Sequence, residues 1–293
     1  MRSAAFVLAT VVGCSFFPLS AAPASMPPPS PIRQIDHVLL TSDDAPALFE
    51  LLTEVLQLPV VWPLSNHGGF GSGGVALGNV NLEIVKARNL PPGGPRNRFV
   101  GLALEPEPLA TSLGELQARN IPHGAPAPFR SRQLHRFFQT LWTTVSLPEV
   151  SSDALEVFLC DYAHDESARR QRFREELRAR GGGPLSVHSV REIVIGARDL
   201  TRAEASWQKL LHPAQASADG TWPIGTGPSI RVVAAAQDEI QEMIVQVTSL
   251  NRARDFLQPQ HLLERDQAAA LVLASPRFPG FKLTLVERPA PRL

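Results

Sequence analysis

The sequence carries no excess of charge of either sign. Among 293 residues, Lys plus Arg number 28 and Asp plus Glu number 28, so the formal net charge at pH 7 is zero. Nucleic acids and acidic membranes attract proteins that carry a strong positive field. We therefore expect no nucleic acid among the partners of this protein.

Long hydrophobic runs are also missing beyond the N-terminus. Hydrophobic residues make up 44% and charged residues 19% of the chain, as in an ordinary globular protein. The one long apolar stretch, residues 4–19, follows Arg2 and is interrupted by Pro18. A membrane span needs about 20 consecutive apolar residues, so the sequence excludes an integral membrane bundle.

The apolar stretch instead has the pattern of a secretory signal peptide, because small residues and then prolines follow it. We predict that residues 1–24 are the signal peptide, with cleavage before Ser25, and that residues 25–32 form a proline-rich linker. Residues 11–14 give an alternative, since Val-Val-Gly-Cys resembles a bacterial lipoprotein box with Cys14 as the lipidated residue. We expect an exported protein, periplasmic or secreted, that is attached to a membrane only if Cys14 is lipidated.

Cysteine is scarce, since Cys14 and Cys160 are the only two. Cleavage by either signal peptidase leaves Cys160 as the single free thiol, so the mature chain forms no intrachain disulfide. An exposed thiol would be prone to oxidation outside the cytoplasm. We therefore expect Cys160 to be buried in a strand, and no surrounding pattern marks it as a nucleophile.

A unit of one strand, one helix and further strands occurs four times along the chain. In the first copy an acidic segment, residues 43–46, starts the helix with a proline in its first turn. The predicted strands are 35–41, 60–64, 74–77 and 80–85; 99–104, 141–147 and 154–159; 190–195 and 229–234; 242–247, 270–274 and 281–286. The predicted helices of the second, third and fourth copies are 109–119, 202–211 and 252–263.

A charged segment, residues 164–180, separates the second copy from the third and ends in three glycines and a proline. Its Glu and Arg residues have helical spacings that would allow pairs such as Glu166 with Arg170 and Glu175 with Arg178. We interpret residues 164–184 as a solvated linker helix and glycine linker, with a basic patch for a polyanion as the alternative. The two domains on either side are 33–163 and 185–289.

The residues of the first copy resemble a known superfamily. Ile-Asp-His-Val-Leu-Leu at 35–40 opens a βαβββ unit and Gly-Asn-Val-Asn-Leu-Glu-Ile-Val at 78–85 closes it. This arrangement resembles the glyoxalase-like domains of the vicinal oxygen chelate superfamily, which also includes bleomycin resistance proteins and extradiol dioxygenases. The resemblance implies an α+β fold in which four βαβββ units pair into two curved sheets.

In that superfamily the concave face of the sheet holds a divalent metal that chelates neighbouring oxygens of a substrate. The ligands usually come from the first and last strands of each unit. By the resemblance, those positions map onto His37, Glu83 and Glu156, and Gly101 leaves the fourth vacant. The implied cofactor is a divalent Zn, Mn, Fe or Ni ion, with Glu83 or Glu156 also available as a catalytic base.

The strand pattern itself also marks these positions. Alternation puts Ile35, His37 and Leu39 on one face of the opening strand. Glu83 lies between two apolar residues of a strand, and a buried carboxylate is costly unless a cation or hydrogen bonds compensate it.

Alternatives remain open at each of these positions. A water, His67 or His135 would complete the metal shell, whereas His37 would otherwise be a core histidine bonded to a neighbouring strand. Glu83 and Glu156 would otherwise pair with arginines.

The second half departs from this pattern. The repeat aligns Glu192 with His37 and Arg231 with Glu83, and Thr284 takes the carboxylate position of the fourth unit. We predict that Glu192 and Arg231 form a salt bridge and that this half binds no metal.

Two functions follow as expectations. The first is a metal-dependent enzyme on a small substrate with adjacent oxygens; one histidine and two glutamates favour isomerase or lyase chemistry over dioxygenase chemistry. The second is a metal-free protein that binds a small molecule on the concave face. A homodimer, and a covering role for the second half, are further alternatives.

Overall fold

The computed structural model of the chain describes residues 29–67, 70–86, 96–132 and 138–289. The predicted signal peptide, Cys14 and His135 lie outside these residues, and so does the side chain of His67. In the ranges that are described, no helix is long and apolar enough to cross a membrane.

The first half of the chain forms a mixed eight-stranded sheet with the order β2-β3-β4-β1-β5-β8-β7-β6. Its strands are β1 (Ile32–Ser42), β2 (Val60–His67), β3 (Phe70–Ala76), β4 (Asn81–Lys86), β5 (Arg98–Pro106), β6 (Ala127–Arg132), β7 (Phe138–Ser146) and β8 (Glu156–Tyr162). The opening strands of the two units, β1 and β5, pair antiparallel at the centre. The closing strands flank them in parallel, β4 beside β1 and β8 beside β5.

Each unit of the first half places its helix directly after its first strand. Helix α1 (Ala45–Glu50) continues into a π-helical turn (Leu51–Val55), and α2 (Leu109–Ala118) follows β5. Asp44 caps α1 by accepting a hydrogen bond from the backbone N–H of Ala47 at 3.2 Å, which satisfies one of the free donors of the first turn. The acidic helix start read from the sequence is therefore present.

The second half forms a seven-stranded sheet with the order β10-β11-β9-β12-β15-β14-β13. Its elements are β9 (Val187–Ala197), α4 (Leu200–Leu211), β10 (Thr221–Trp222), β11 (Ser229–Ala234), β12 (Glu239–Val247), α5 (Leu250–Leu257), β13 (Leu263–Gln267), β14 (Ala270–Ala274) and β15 (Lys282–Glu287). The predicted α+β architecture of four units in two sheets is confirmed, with one strand fewer in the third unit.

Some of the predicted elements need correction. Strands β6 (Ala127–Arg132), β10 (Thr221–Trp222) and β13 (Leu263–Gln267) were not predicted, and the helix predicted over 252–263 spans Leu250–Leu257. Pro259 lacks a backbone N–H and cannot continue the helical hydrogen-bond pattern. The chain therefore turns after Gln258, and residues 263–267 form a strand instead.

The charged segment is not a solvated linker. Helix α3 (Ser167–Ala179) buries Phe173 and Leu177 and packs on β3 and β9. The predicted pair of Glu166 with Arg170 does not form, because Glu166 pairs with Arg169 at 2.7 Å and Arg170 turns to the buried Asp36. The second predicted pair, Glu175 with Arg178, does not form among the described residues either, since Glu175 accepts from Gln171.

Direct hydrogen bonds join the two halves. The side chain of Asn79 donates to the carbonyl of Val190 at 2.9 Å and accepts from its N–H at 2.8 Å. Arg119 of α2 donates to the carbonyls of Lys209, Leu210 and His212 at the end of α4. The second half is therefore bonded to the first at several buried backbone groups.

The salt bridge predicted in the second half is present. Nε of Arg231 lies 2.9 Å from Oε1 of Glu192, on neighbouring parallel strands. Thr284 donates to Glu242 at the corresponding place in the fourth unit. Arg231 thus neutralises Glu192, whereas Glu242 receives a hydrogen bond from a neutral hydroxyl.

Candidate functional site

The first sheet holds a cavity of ≈ 550 Å³ on its concave face. Its lining residues are His37, Leu39, Trp62, Ser72, Glu83, Phe129, Leu141, Trp142, Thr144, Ser146, Glu156, Phe158, Cys160, Tyr162 and Arg169. All three predicted metal ligands, His37, Glu83 and Glu156, lie on this surface. The volume is within the range of about 300–1,000 Å³ that is typical of small-molecule sites.

Strand alternation explains most of the lining. On β8, the residues at alternate positions from Glu156 to Tyr162 face the cavity, whereas Val157 and Leu159 enter the hydrophobic core. Because successive side chains of a strand point to opposite faces, one strand supplies four lining residues.

Strand β1 breaks this alternation at a bulge. Ile35 pairs with Leu104 and His37 with Ala103, so Asp36 is an extra residue in β1. Ile35 enters the core, and the sequence prediction that it shares the face of His37 is wrong. The same bulge places the Asp36 carboxylate 2.6 Å from Nδ1 of His37.

The imidazole of His37 is held between two carboxylates. Nδ1 lies 2.6 Å from Asp36 and Nε2 lies 3.0 Å from Oε2 of Glu83, and the His37 side chain is only 6% exposed. Burial alone would lower the pKa of His37, but hydrogen bonds to Asp36 and Glu83 and the charges of these groups raise it from 6.5 to about 10. His37 is therefore an imidazolium that donates from both ring nitrogens.

This protonation state links the site to stability. The folded pKa of His37 lies above its unfolded value, so its contribution to stability is fully present below about pH 6.5 and is lost as the pH rises through about 10.

Asp36 is the most heavily bonded group of the site. One oxygen of its carboxylate meets His37 and accepts from the hydroxyl of Tyr162, the only tyrosine of the chain, at 2.9 Å. The other oxygen accepts from Arg170 at 2.9 Å. Burial would raise the pKa of Asp36, but the hydrogen bond and charge of His37, followed by the charge of Arg170, lower it, so Asp36 remains a carboxylate.

The chain of charges continues to the edge of the second half. Arg170 also meets Glu105 at 2.7 Å, and Glu105 accepts from Gln34 at 2.7 Å. Gln34 in turn accepts from the Thr226 hydroxyl at 2.7 Å. A continuous polar chain therefore links the cavity, helix α3 and the loop before β11.

Glu156 does not join this network. Leu39 pairs with Glu83 on one side and with Gly101 on the other, and Gly101 pairs with Glu156. The backbones of Glu83 and Glu156 are thus three strand spacings apart, about 14 Å along the sheet. A Cβ at Gly101 would lie 3.2 Å from Cδ1 of Leu39, so the leucine side chain covers the position of the vacant fourth ligand.

These positions decide how well a metal fits. His37 and Glu83 lie side by side, but Glu156 is exposed and Leu39 separates it from them. Within the ranges that the structure describes, no group of three His, Cys, Asp or Glu side chains is placed to hold a metal ion. Among the described residues, the structure therefore brings His37 and Glu83 together but not Glu156.

Aromatic side chains form the walls. Phe129 and Trp142 stack across β6 and β7 with ring centroids 4.2 Å apart and planes at 8°. Trp62 lies across Gly74, where a Cβ would come within 2.6 Å of the indole. The glycines of β3 thus allow Trp62 to lie flat against the sheet, edge-on to His37 at 6.3 Å.

Cys160 lies on the cavity wall between these groups. It is buried in β8, as expected from the sequence. Burial, together with the charge of Asp36, raises the pKa of the Cys160 thiol well above its usual value. A thiol held in the protonated form is a poor nucleophile.

Sequence reasoning missed several partners of this site. Tyr162, Arg170 and Glu105 carry no motif, and they meet Asp36 or each other only through the fold. Asp36 itself adjoins the predicted ligand His37, but strict alternation placed it on the opposite face.

The fold has clear counterparts among solved structures. Homoprotocatechuate 2,3-dioxygenase from Brevibacterium fuscum, in a complex with 3,4-dihydroxyphenylacetate, aligns with a TM-score of 0.63 at 10% identity over 90% of this chain and 83% of that one. The enzyme of that name from Arthrobacter globiformis gives 0.60 at 12% identity over 90% and 82%. A hypothetical protein from Staphylococcus aureus gives 0.57 at 10% identity over 87% and 99%.

The chain has a glyoxalase-like fold. These solved structures and the paired sheets agree on the fold of the vicinal oxygen chelate superfamily. No protein-family model and no curated protein matches the chain in sequence. At such low identity the glyoxalase-like fold leaves the reaction and substrate undetermined.

The buried carboxylate of Asp36 should be essential for stability. Asp36→Asn removes the charge shared by His37 and Arg170, and leaving buried charges unpaired costs about 3–5 kcal/mol. We expect a loss of this size in the free energy of unfolding, measured in urea at neutral pH.

Asp43→Asn is the matched control. Asp43 pairs with Arg96 at the surface, with side chains 39% and 72% exposed, and such pairs contribute less than about 1 kcal/mol. Equal losses in the two variants would show that the Asp36 network does not stabilise the fold.

Proposed function

We propose that the glyoxalase-like first sheet binds a small planar molecule, an aromatic one above all, that carries a hydroxyl or amine donor. The observation that supports this most strongly is the combination of aromatic walls with a charged floor in one cavity. Binding sites for small molecules are typically apolar pockets with a few convergent polar groups.

The walls select for planarity and apolar character. Trp62, Trp142, Phe129 and Phe158 present ring surfaces to the cavity, and Phe158 and Trp62 both lie edge-on to His37. Aromatic pairs prefer offset-stacked or edge-to-face geometry and contribute about 0.5–1.5 kcal/mol beyond their buried area. A flat ring fits these contacts better than a branched aliphatic molecule.

The floor selects for a hydrogen-bond donor. Both nitrogens of His37 already donate to carboxylates, whereas Glu83 faces the cavity and uses one carboxylate oxygen for His37. The other oxygen of Glu83 and the carboxylate of Glu156 are acceptors. A hydroxyl or amine of the ligand therefore has hydrogen-bond acceptors here, whereas a carboxylate of the ligand would be repelled by Glu83 and Glu156.

The role of His37 in this proposal is positioning. Its imidazolium fixes the orientation of Glu83 and offsets part of its negative charge, so that the carboxylate keeps one oxygen toward the ligand. Asp36, Tyr162 and Arg170 hold the imidazole ring in turn. The binding surface is thereby organised before a ligand arrives, which lowers the entropic cost of binding.

Tryptophan fluorescence tests the proposal. The chain has four tryptophans, of which Trp62 and Trp142 line the cavity while Trp207 and Trp222 are buried in the second half. We expect 2-naphthol to quench the emission saturably. Trp62→Phe and Trp142→Phe should each remove part of that change, whereas Trp207→Phe should leave it intact. Removing the acceptor by Glu83→Leu should weaken 2-naphthol binding by about tenfold, the size of one hydrogen bond to a charged group.

Naphthalene, which lacks the hydroxyl, serves as the matched ligand. Its affinity should be lower than that of 2-naphthol in the wild type and unchanged by Glu83→Leu. No saturable quenching by either compound would refute the binding proposal.

A metal-dependent isomerase or lyase reaction is a second proposal. The observation that favours it is that Nε2 of His37 and Oε2 of Glu83 lie 3.0 Å apart, so that both become metal ligands if His37 gives up its Nε2 proton. The fold is also shared with the dioxygenases above. A buried carboxylate behind a histidine, as Asp36 is here, is also the usual outer partner of a metal-bound imidazole. Export, the signal peptide and the base role of Glu83 or Glu156 remain proposals from the sequence.

Elemental mass spectrometry separates the two proposals. The protein, purified without chelators or nickel columns and then incubated with Zn, Mn, Fe or Ni, should carry far less than one ion per chain, because only two ligands are in place. Near-stoichiometric metal that disappears in Glu83→Ala would instead establish the metal-dependent proposal.

A further inference from the structure

A second cleft lies where helix α3 meets the second sheet. We call it the junction cleft; its volume is ≈ 510 Å³. The residues that line it are Gly78, Asn79, Arg174, Leu177, Arg178, Gly181, Gly182, Val187, His188, Ser189, Thr226, Thr248 and Arg252. Three are arginines, one is a histidine, and none of these described residues is acidic.

Two of the arginines belong to a stripe along α3. Arg170, Arg174 and Arg178 are spaced by four residues and therefore lie on one side of the helix. Arg170 is neutralised by Asp36 and Glu105. Arg174 and Arg178 form no salt bridge with any carboxylate in the part of the chain that is described. Along this stripe, the arginine outside the cleft is paired with carboxylates and the two arginines that line the cleft are not.

The opposite wall adds a further unpaired cation. Arg252, in the first turn of α5, donates to the carbonyl of Gly183 at 2.9 Å. It forms no salt bridge within the described ranges either. Its guanidinium has five N–H donors in a planar fork, so one backbone contact leaves most of them available.

His188, which lines the cleft, also lies near positive charge. Burial, and after it the charges of Arg288 and Arg178, lower the pKa of His188 below its usual value. Arginines on separate elements therefore act on the same point of the cleft. Because the net charge of the whole chain is zero, this concentration of positive charge is local.

At the floor of the cleft, the backbone of the first half lies very close to the backbone of the second half. Gly78 has φ +91°, and a Cβ there would lie 2.4 Å from the carbonyl oxygen of His188. Asn79 next to it is bonded to both backbone groups of Val190. The floor is thus fixed by glycine and by hydrogen bonds across the halves. Thr248 also lines the cleft, whereas the hydroxyls of Ser189 and Thr226 donate to Gln246 and Gln34.

We propose that the junction cleft is a binding site for a small-molecule oxyanion with at least two negative charges, such as a phosphate or diphosphate ester. Planar guanidinium groups match the geometry of phosphate oxygens and bind them through two parallel hydrogen bonds. Arginines without a salt bridge on two walls provide such contacts from two sides of a fixed floor. The site is separate from the aromatic cavity, so it does not depend on the binding proposed there.

Calorimetric titration with pyrophosphate and with inorganic phosphate tests this site. We expect saturable binding of pyrophosphate to the wild type, with weaker binding of the single phosphate. Arg178→Gln and Arg252→Gln should each reduce the pyrophosphate affinity about tenfold, the effect of one charge-assisted contact. The double variant should lose measurable binding.

Arg254→Gln is the control on the same helix as Arg252. Arg254 pairs with Asp266 at 2.9 Å and lies outside the cleft, so its removal changes the net charge equally without touching the site. It should bind pyrophosphate as the wild type does. Absence of saturable binding to the wild type, or equal weakening in Arg254→Gln, would overturn the proposal.

Thermal unfolding of the variants without ligand shows whether they remain folded. Arg178 and Arg252 are exposed, so both variants should unfold at the same temperature as the wild type.

Citrate, titrated in parallel, tests whether the cleft prefers carboxylates or phosphates. Tighter binding of citrate than of pyrophosphate would contradict a phosphate ester as the ligand.

Discussion

The site depends on one buried chain of alternating charges. It runs from Glu83 through His37, Asp36 and Arg170 to Glu105. Each group lies within 3.0 Å of the next, and no member is left with an unpaired charge. A buried ion is costly unless it is paired and hydrogen-bonded. The network therefore fixes strands β4, β1 and β5 and helix α3 relative to one another, and Tyr162 joins strand β8 to it. It fixes the floor of the cavity as well.

The two halves of the chain differ in what their polar side chains contact. In the first half, polar groups of β1 and β4 face an open aromatic cavity, whereas in the second half Glu192 and Arg231 pair with each other. The second half contributes in another way, through the Thr226–Gln34 bond and the wall of the junction cleft. A glyoxalase-like fold thus carries one apolar cavity with a charged floor and one cleft with a positive surface.

Most of the repeated strands and the Glu192–Arg231 bridge could be predicted because they follow from strand patterns and from alignment of the units. Asp36 could not be placed correctly, because a bulge in β1 shifts the alternation by one residue and the sequence carries no signal for it. The stack of Phe129 on Trp142 was missed with strand β6, whose segment lacks alternation. The contacts of α3 depend on tertiary packing, so its arginines looked like those of a solvated helix.

The protonation state of His37 tests the central claim most directly, because a metal ligand must offer a lone pair and an imidazolium has none. Nitrogen NMR of the histidine rings at about pH 8, above the usual histidine pKa of about 6.5, would show it, with His37→Gln assigning the signal. We predict that both ring nitrogens of His37 carry protons and that the charge is lost only as the pH approaches about 10. A neutral ring at that pH, with one unprotonated or metal-bound nitrogen, would contradict this account.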